Sequence, residues 1–259
     1  MEKINLGKYS LAIDISGTDS KPWIILSNSL GTTHKMWAPQ MDLLNKHFKV
    51  LRYDTLGHGE SDAPKGPYTF NQLEQDVVNL MDALSILRAN FLGLSIGGMI
   101  GLGLAINYPN RINKLICADA RAEATEGFVK LWEERDIAMQ YNGVKSIWEG
   151  TKKRWFYNQN LDSIETFEKE FCNTSINGLS GCGAALKELD YKKYLGKIKS
   201  KTLYIGGSND AGAPADIMEE MSNLTPKSMH IAIERSSHIA NVDNPIEFNK
   251  AISEFLEIN

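Results

Sequence analysis

Cysteine is scarce in this sequence. The chain has three cysteines, an odd number, and they show no paired spacing of the kind that binds a metal. Few, unpaired thiols suit a reducing compartment better than a disulfide framework does. We therefore interpret Cys117, Cys172 and Cys182 as reduced residues that serve in packing.

Long apolar runs and an excess of one charge are also lacking. The apolar segments are too short or too interrupted to span a bilayer, so we expect no membrane anchor. With 28 Lys and Arg against 32 Asp and Glu and no long basic run, nothing in the charge pattern favours nucleic acid or an anionic membrane as a partner. Residues 1–10 carry no apolar stretch or cleavage site, and we expect a cytoplasmic protein.

What remains is an ordinary globular composition. A hydrophobic fraction of 42% and a length of 259 residues are enough for one sizeable α/β domain, with room for an inserted subdomain. The expected partner is a small molecule. The sequence carries no signal for an oligomeric state.

Strand and helix patterns alternate along most of the chain. Residues 4–16 alternate apolar and polar side chains around a Gly-Lys break, which predicts an antiparallel hairpin. The continuous apolar run at 23–29 is typical of a strand buried on both faces, and helix and strand patterns then follow each other. This order predicts an α/β fold, a mainly parallel sheet with helices on both faces.

The alternation stops between residues 121 and 189, where every periodic segment is helical. Strand patterns return at 201–207 and 228–235, each followed by a helical segment. We therefore predict an α/β core made of residues 1–120 and 190–259, with an inserted helical cap over residues 121–189.

Glycines surround one serine between a predicted strand and a predicted helix. The stretch Gly93-Leu94-Ser95-Ile96-Gly97 has two interpretations. It is a tight, close-packed turn whose serine caps the helix, or it is a Gly-x-Ser-x-Gly nucleophile elbow, in which small neighbours leave the serine oxygen exposed at a sharp turn. The pattern is short, so the rest of the chain must decide.

A histidine and two aspartates follow other strands of the same predicted sheet. Ligands and catalytic groups collect at the carboxyl ends of parallel strands, where Ser95, Asp210 and His238 all fall. A serine hydroxyl needs a histidine to take its proton, and the histidine needs a carboxylate to hold its tautomer. The order Ser, Asp, His is the one expected of a hydrolase sheet, and Asp119, before the cap, is the alternative acid.

A tetrahedral intermediate also needs backbone N–H donors. Ile96 follows the nucleophile directly and supplies one, and Leu30, in the loop after the first central strand, is the expected second. His58 lies between glycines and is interpreted as part of a structural turn. The other histidines are interpreted as surface or loop residues: His34, His47 and His230. Without metal spacing or a dinucleotide fingerprint, we expect no metal and no cofactor.

Several stretches resemble the α/β-hydrolase fold superfamily and, within it, the 3-oxoadipate enol-lactonases. They are LSNSLGTTHKMW, LGLSIGGMIG and SSHIANVDNP, and the resemblance extends over nearly the whole chain. It implies Ser95 as nucleophile, Asp210 as acid and His238 as base, with Leu30 and Ile96 as oxyanion donors. The activity it implies is cofactor-free opening of an enol-lactone through an acyl-enzyme, in the degradation of aromatic compounds.

Two departures leave the substrate open. Leu56 stands where relatives often carry arginine, and residues 118–124 carry charges where the lactonases show small neutral side chains. A general carboxylesterase or a cofactor-free haloperoxidase-like hydrolase would use the same triad. A further alternative is a hydrolase-fold receptor that captures its ligand without turning it over.

A carboxylated lactone implies a cation in the cap. Trp132 and Arg135 are three residues apart on a predicted helix, so they share a face and form the expected substrate-binding pair. The alternative is a solvated surface pair between Arg135 and the neighbouring Glu133 or Glu134. The other candidate anchors are Arg121 and Arg154.

Overall fold

A computed structural model describes residues 1–258, which build an eight-stranded sheet of order β1-β2-β4-β3-β5-β6-β7-β8. The pairs β1–β2 and β2–β4 are antiparallel and all other pairs are parallel. This confirms the predicted opening hairpin and the mainly parallel sheet. The strands are β1 (Glu2–Asn5), β2 (Ser10–Gly17), β3 (Trp23–Ser27), β4 (Lys49–Tyr53), β5 (Ala89–Leu94), β6 (Ile112–Ala118), β7 (Lys201–Gly207) and β8 (Ser228–Ile233).

Helices lie on both faces of this sheet and over its carboxyl edge. They are α1 (Ala38–His47), α2 (Phe70–Ala83), α3 (Ile96–Asn107), α4 (Glu126–Asn142), α5 (Trp148–Trp155), α6 (Ile164–Asn173), α7 (Ile176–Lys187), α8 (Ala215–Leu224), α9 (Ala240–Asp243) and α10 (Pro245–Leu256). None of the helices formed by residues 1–258 is long and apolar enough to cross a bilayer.

Two hydrophobic clusters hold these layers together. Side chains of α1 and α10 pack on one face of the sheet, and those of α2, α3 and α8 pack on the other. Helix α2 shows the local cause: Thr69 accepts the first-turn N–H of Gln72, and Leu73, Val77 and Leu80 recur on the buried side. The central strands are apolar on both sides because both sides are covered.

The strand order places the site. The chain passes from β3 to β4 on one side and then crosses to β5 on the other, so the sheet changes winding direction between β3 and β5. Ligands in open α/β sheets bind at such a switch point. Ser27, which ends β3, pairs with Gly93 of β5, so the loop carrying Leu30 lies beside the turn carrying Ser95.

Four helices, α4 to α7, lie between β6 and β7 and form the cap. Helix α7 contacts the core closely through glycine: a Cβ added at Gly178 would lie 2.0 Å from the carbonyl oxygen of Gly57. At the base of the cap, Glu123 and Asp190 pair as an isolated antiparallel bridge. The limits of the cap at residues 121 and 189 stay a prediction.

One histidine lies where the sequence did not predict it. His34 is buried. Its Nδ1 lies 2.9 Å from Oδ1 of Asp54, and its backbone N–H donates to the same oxygen. The interpretation as a surface residue is wrong for His34. His58 is buried in a glycine-flanked turn, with Nδ1 3.2 Å from the carbonyl oxygen of Leu56.

Candidate active site

Ser95 lies at a sharp turn between β5 and α3. Its backbone is at φ 57° and ψ −120°, a conformation that L residues rarely adopt, so the turn is strained. The turn also needs small neighbours: a Cβ at Gly93 would lie 2.1 Å from the carbonyl oxygen of Gly97, and one at Gly97 would lie 2.3 Å from that of Ser27. The geometry is that of a nucleophile elbow.

His238 connects this serine to a buried carboxylate. Its Nε2 lies 2.9 Å from Oγ of Ser95, and its Nδ1 lies 2.7 Å from Oδ2 of Asp210. An ionised carboxylate only accepts hydrogen bonds, so Nδ1 carries the imidazole proton and Nε2 is left to accept the proton of the serine hydroxyl. The structure therefore brings together the three residues that the strand-end argument selected.

The charge states fit this arrangement. Burial opposes ionisation of Asp210, but His238, Arg154 and the Gly212 N–H outweigh it, so the pKa of Asp210 lies below its ordinary value. Burial lowers the pKa of His238, and Arg154 and Arg135 act in the same direction while Asp210 opposes them. A charged acid beside a neutral base is the state that precedes proton transfer.

Asp119, the alternative acid, is bonded elsewhere. Its Oδ1 accepts the N–H of Gly207 at 2.7 Å, and its Oδ2 is buried with no partner among residues 1–258. Burial, with Asp210 close by, raises the pKa of Asp119 well above its ordinary value. Asp119 therefore forms its hydrogen bond with the loop that leads to Asp210. The carboxylate hydrogen-bonded to His238 is that of Asp210.

The loop after β3 is held by Asn28. Its side-chain N–H groups donate to the carbonyl oxygens of Ser29 and Thr32 at 2.9 and 2.8 Å, and its Oδ1 accepts from Thr55. The backbone N–H groups of Leu30 and Ile96 donate to no other group of residues 1–258. Both predicted oxyanion donors are therefore free, on a loop and a helix start that are fixed.

A small cavity lies between the triad and the cap. Its volume is about 20 Å³, and it is lined by Ser95 and His238 from the core and by Trp132, Arg121 and Arg154 from the cap. Among residues 1–258, no three His, Cys, Asp or Glu side chains cluster so as to hold a metal ion.

The cap arginines differ in what they contact. Arg121 donates to the carbonyl oxygen of Gly212 at 3.0 Å. The guanidinium of Arg154 makes no hydrogen bond to any group of residues 1–258, and its Nε is buried. A half-buried cation near Asp210, with no hydrogen bond to residues 1–258, thus lies at the wall of the cavity, and this arrangement favours an anionic group of a ligand.

Arg135 does not line the cavity. Its guanidinium carbon lies 4.9 Å from the ring centroid of Trp132, and its Nη2 donates to Oγ1 of Thr151 at 2.7 Å. Burial, with Arg154 close by, lowers the pKa of Arg135 to about 9. No ion pair joins it to Glu133 or Glu134 in the described part of the chain, so the surface-pair alternative fails.

Hydrogen bonds join the histidine loop to the end of helix α5. Ile239 donates its N–H to the carbonyl oxygen of Trp155 at 3.0 Å, and Asp243 accepts the N–H groups of Ser237 and Tyr157 at 2.9 and 2.7 Å. Arg154 is thereby fixed relative to His238. The sequence analysis assigns no role to Asp243, and the one available signal is its place as the first residue of the DNP turn.

Comparisons with known proteins agree with this geometry. The α/β hydrolase fold family matches residues 22–245. Two 3-oxoadipate enol-lactonases of Acinetobacter baylyi are similar to the chain: enol-lactonase 2 is 34% identical over 91% of this chain and 89% of its own length, and enol-lactonase 1 is 32% identical over 96% and 93%. The crystal structure of the enol-lactonase from Burkholderia xenovorans LB400 superposes with a TM-score of 0.95 at 34% identity, covering 99% of this chain and 100% of that one.

Fold, sequence family and strand-end chemistry thus converge, and the resemblance seen in the sequence is confirmed. The chain belongs to the α/β hydrolase fold family, with 3-oxoadipate enol-lactonases among its relatives.

Proposed function

We propose that this hydrolase opens a small carboxylated lactone or ester through an acyl-enzyme on Ser95, with 3-oxoadipate enol-lactone as the leading substrate. The observation that carries the proposal is His238, which lies within hydrogen-bond distance of both Ser95 and Asp210. The similarity to enol-lactonases supports the choice of substrate.

The geometry supports a reaction in two steps. His238 Nε2 takes the hydroxyl proton as Ser95 Oγ attacks the carbonyl carbon, and Asp210 stabilises the imidazolium. The carbonyl oxygen becomes an oxyanion that the N–H groups of Leu30 and Ile96 stabilise. As the intermediate collapses, the ring oxygen leaves with the proton from His238. Water, activated by the same histidine, then hydrolyses the acyl-enzyme, so no cofactor is needed.

We assign the substrate carboxylate to Arg154 rather than Arg135. Arg154 lines the cavity and its guanidinium makes no hydrogen bond to residues 1–258, whereas Arg135 does not line the cavity and donates to Thr151. Trp132 supplies the apolar wall, with Arg135 stacked against its far side. The planar fork of an arginine suits a carboxylate, because two parallel hydrogen bonds fix its orientation.

Arg154→Met is expected to lower kcat/KM for the carboxylated enol-lactone by about tenfold to a few hundredfold, the loss of one charge-assisted contact. Activity on the neutral ester p-nitrophenyl acetate, measured in parallel above neutral pH, should change little. Arg154→Lys keeps the charge but not the planar guanidinium, so its kcat/KM for the lactone should lie between those of the wild type and Arg154→Met.

Arg135→Met serves as the matched control for this assignment. Equal losses on both substrates in Arg154→Met would show that Arg154 supports the triad and not the carboxylate. A lactone-specific loss in Arg135→Met alone would return the anchor to Arg135.

A panel of lactones and esters separates the other functions. A preference for neutral esters would favour a carboxylesterase, and bromide oxidation in the presence of peroxide and a carboxylic acid would favour a haloperoxidase-like activity. Turnover much slower than release of the ligand would favour a receptor. The guanidinium of Arg154 at the cavity wall, which makes no hydrogen bond to residues 1–258, favours the carboxylated lactone.

The pH profile is expected to fall on the acid side below the range of an ordinary histidine. Burial lowers the pKa of His238, and Arg154 adds to this effect, so the neutral imidazole needed as base persists below pH about 6.5. We expect kcat/KM for p-nitrophenyl acetate to be near its plateau at pH about 6.5 and to fall at lower pH. Arg154→Met removes a cation that lowers the pKa of His238, so the fall in kcat/KM on the acid side should move to higher pH. A wild-type limb centred above pH about 7 contradicts the prediction.

A further inference from the structure

The hydroxyl of Ser29 is a buried polar group without a partner. Ser29 is 1% exposed, and its Oγ forms no hydrogen bond with any group of residues 1–258. Ser29 lines the same cavity as Ser95 and directly precedes Leu30. Buried hydroxyls are normally paired, because an unpaired one loses its hydration without replacement.

The remaining polar atoms of Ser29 are engaged. Its N–H donates to the sulfur of Met36 at 3.1 Å, and its carbonyl oxygen accepts from the side chains of Asn28 and Thr32 at 2.9 and 2.8 Å. The backbone is therefore fixed from both sides. The hydroxyl alone is free, and rotation about one bond sets the direction of its proton.

The position of Ser29 indicates which substrate atom its hydroxyl can reach, namely the oxygen of the carbonyl group under attack. The loop that carries Ser29 and Leu30 lies against the nucleophile turn, because Ser27 pairs with Gly93. The cavity's cations, Arg121 and Arg154, come from the cap segment and not from this loop. The substrate atom nearest the loop is thus the carbonyl oxygen under attack, and the carboxylate lies toward the cap.

We propose that the Ser29 hydroxyl is a third oxyanion donor, beside the N–H groups of Leu30 and Ile96. The inference rests on the proposed acyl-enzyme reaction. When the Oγ–C bond forms at Ser95, the carbonyl π electrons move to oxygen, and the Ser29 O–H donates to that oxygen without transferring its proton. When the intermediate collapses, the electron pair re-forms the C=O bond and the hydrogen bond weakens. Ser29 thus stabilises the transition state more than the ground state.

Ser29→Ala is expected to lower kcat/KM for p-nitrophenyl acetate and for the enol-lactone alike, by about 100-fold, as removal of one side-chain oxyanion donor does elsewhere. Its melting temperature should be unchanged or higher, since the variant removes an unpaired buried hydroxyl. Affinity for a trifluoromethyl ketone, which forms a hemiketal oxyanion with the active-site serine, should fall by the same factor as kcat/KM. Affinity for the intact lactone, measured by equilibrium binding with Ser29→Ala added to Ser95→Ala and compared with Ser95→Ala alone, should stay within about twofold, because the neutral carbonyl of the ground state draws little on the donor.

Two matched variants sharpen the test. Ser200 is also buried with an unpartnered hydroxyl, but it lies before β7 and outside the cavity, so Ser200→Ala should keep full activity with the same small effect on stability. Ser29→Thr retains the hydroxyl and should recover most of the activity that Ser29→Ala loses.

Unchanged kcat/KM or unchanged ketone affinity in Ser29→Ala overturns the proposal. So does a loss of activity that parallels a drop in melting temperature and is not recovered by Ser29→Thr, which is the pattern of a structural role. Failure of the underlying reaction has a different signature: hydrolysis would then survive in Ser95→Ala. An active Ser29→Ala beside an inactive Ser95→Ala rejects the third donor alone.

Discussion

Ser95→Ala is expected to lose on the order of 10⁵-fold or more in kcat, comparable to the loss of a nucleophile in another serine hydrolase. The reason is that His238 Nε2 lies 2.9 Å from the serine oxygen, and no other hydroxyl of residues 1–258 is hydrogen-bonded to that nitrogen. Hydrolysis of the enol-lactone and of p-nitrophenyl acetate should fall together, since both use the same bond-forming atom. Residual activity then reflects the oxyanion donors and binding alone.

Two measurements separate chemistry from folding in this variant. An organophosphate such as diethyl p-nitrophenyl phosphate should add one diethylphosphoryl group to the wild-type protein at Ser95 and none to Ser95→Ala, as read by peptide mass spectrometry. Ser95→Ala keeps the Cβ in a strained backbone at φ 57°, whereas Ser95→Gly relieves the strain, so the glycine variant should melt at a higher temperature than the alanine variant. Esterase turnover near the wild-type rate in Ser95→Ala would refute the assignment.

The triad was predictable because its three parts depend on rules that act locally or on the sheet as a whole. The glycines around Ser95 indicate a close turn, and strand ends in a parallel sheet meet at one edge, so Asp210 and His238 follow from chain order. Choosing between Asp210 and Asp119 on sequence rested on order alone. In the structure, the carboxylate that lies 2.7 Å from His238 belongs to Asp210.

The cap residues were less predictable because their positions depend on how helices dock. Periodicity predicts that Trp132 and Arg135 share one face, and they do stack, but it cannot show that Trp132 lines the cavity while Arg135 does not. Arg154 reaches the site because the end of α5 is hydrogen-bonded to the histidine loop, far away in sequence. The interpretation of His34 as a surface residue fails for the same reason, because its partner, Asp54, directly follows strand β4.

Ser29 illustrates a different limit. The sequence predicts its neighbour Leu30 as a donor through a backbone N–H, a group that nearly every residue type has, so the residue types of this loop carry no signal for the Ser29 side chain. Only the burial of Ser29 and the lack of a partner for its hydroxyl point to a role. Whether a buried polar atom has a hydrogen-bond partner depends on how the side chains pack, and the order of residue types along the chain does not show this.

The second large effect is expected at the acid. Asp210→Asn should lower kcat/KM by about 10⁴-fold, because an amide at this position favours the wrong imidazole tautomer and gives little stabilisation to the imidazolium. Asp210 accepts from His238 through Oδ2 and from the Gly212 N–H through Oδ1, and an asparagine cannot accept at both. The side chain is fully buried, so water cannot replace the lost acceptor.

Asp119→Asn is the matched control, since it makes the same change on the neighbouring strand end. Asp119 accepts the N–H of Gly207 through one oxygen, which an asparagine can still do, and burial beside Asp210 already favours its protonated, neutral form. We therefore expect this variant to keep kcat/KM within about tenfold, an effect on positioning of the loop before Asp210. Steady-state kinetics of both variants on p-nitrophenyl acetate, with circular dichroism to verify folding, makes the comparison. If Asp119→Asn is the inactive protein and Asp210→Asn the active one, the acid comes from the strand before the cap, and His238 must turn toward it during the reaction.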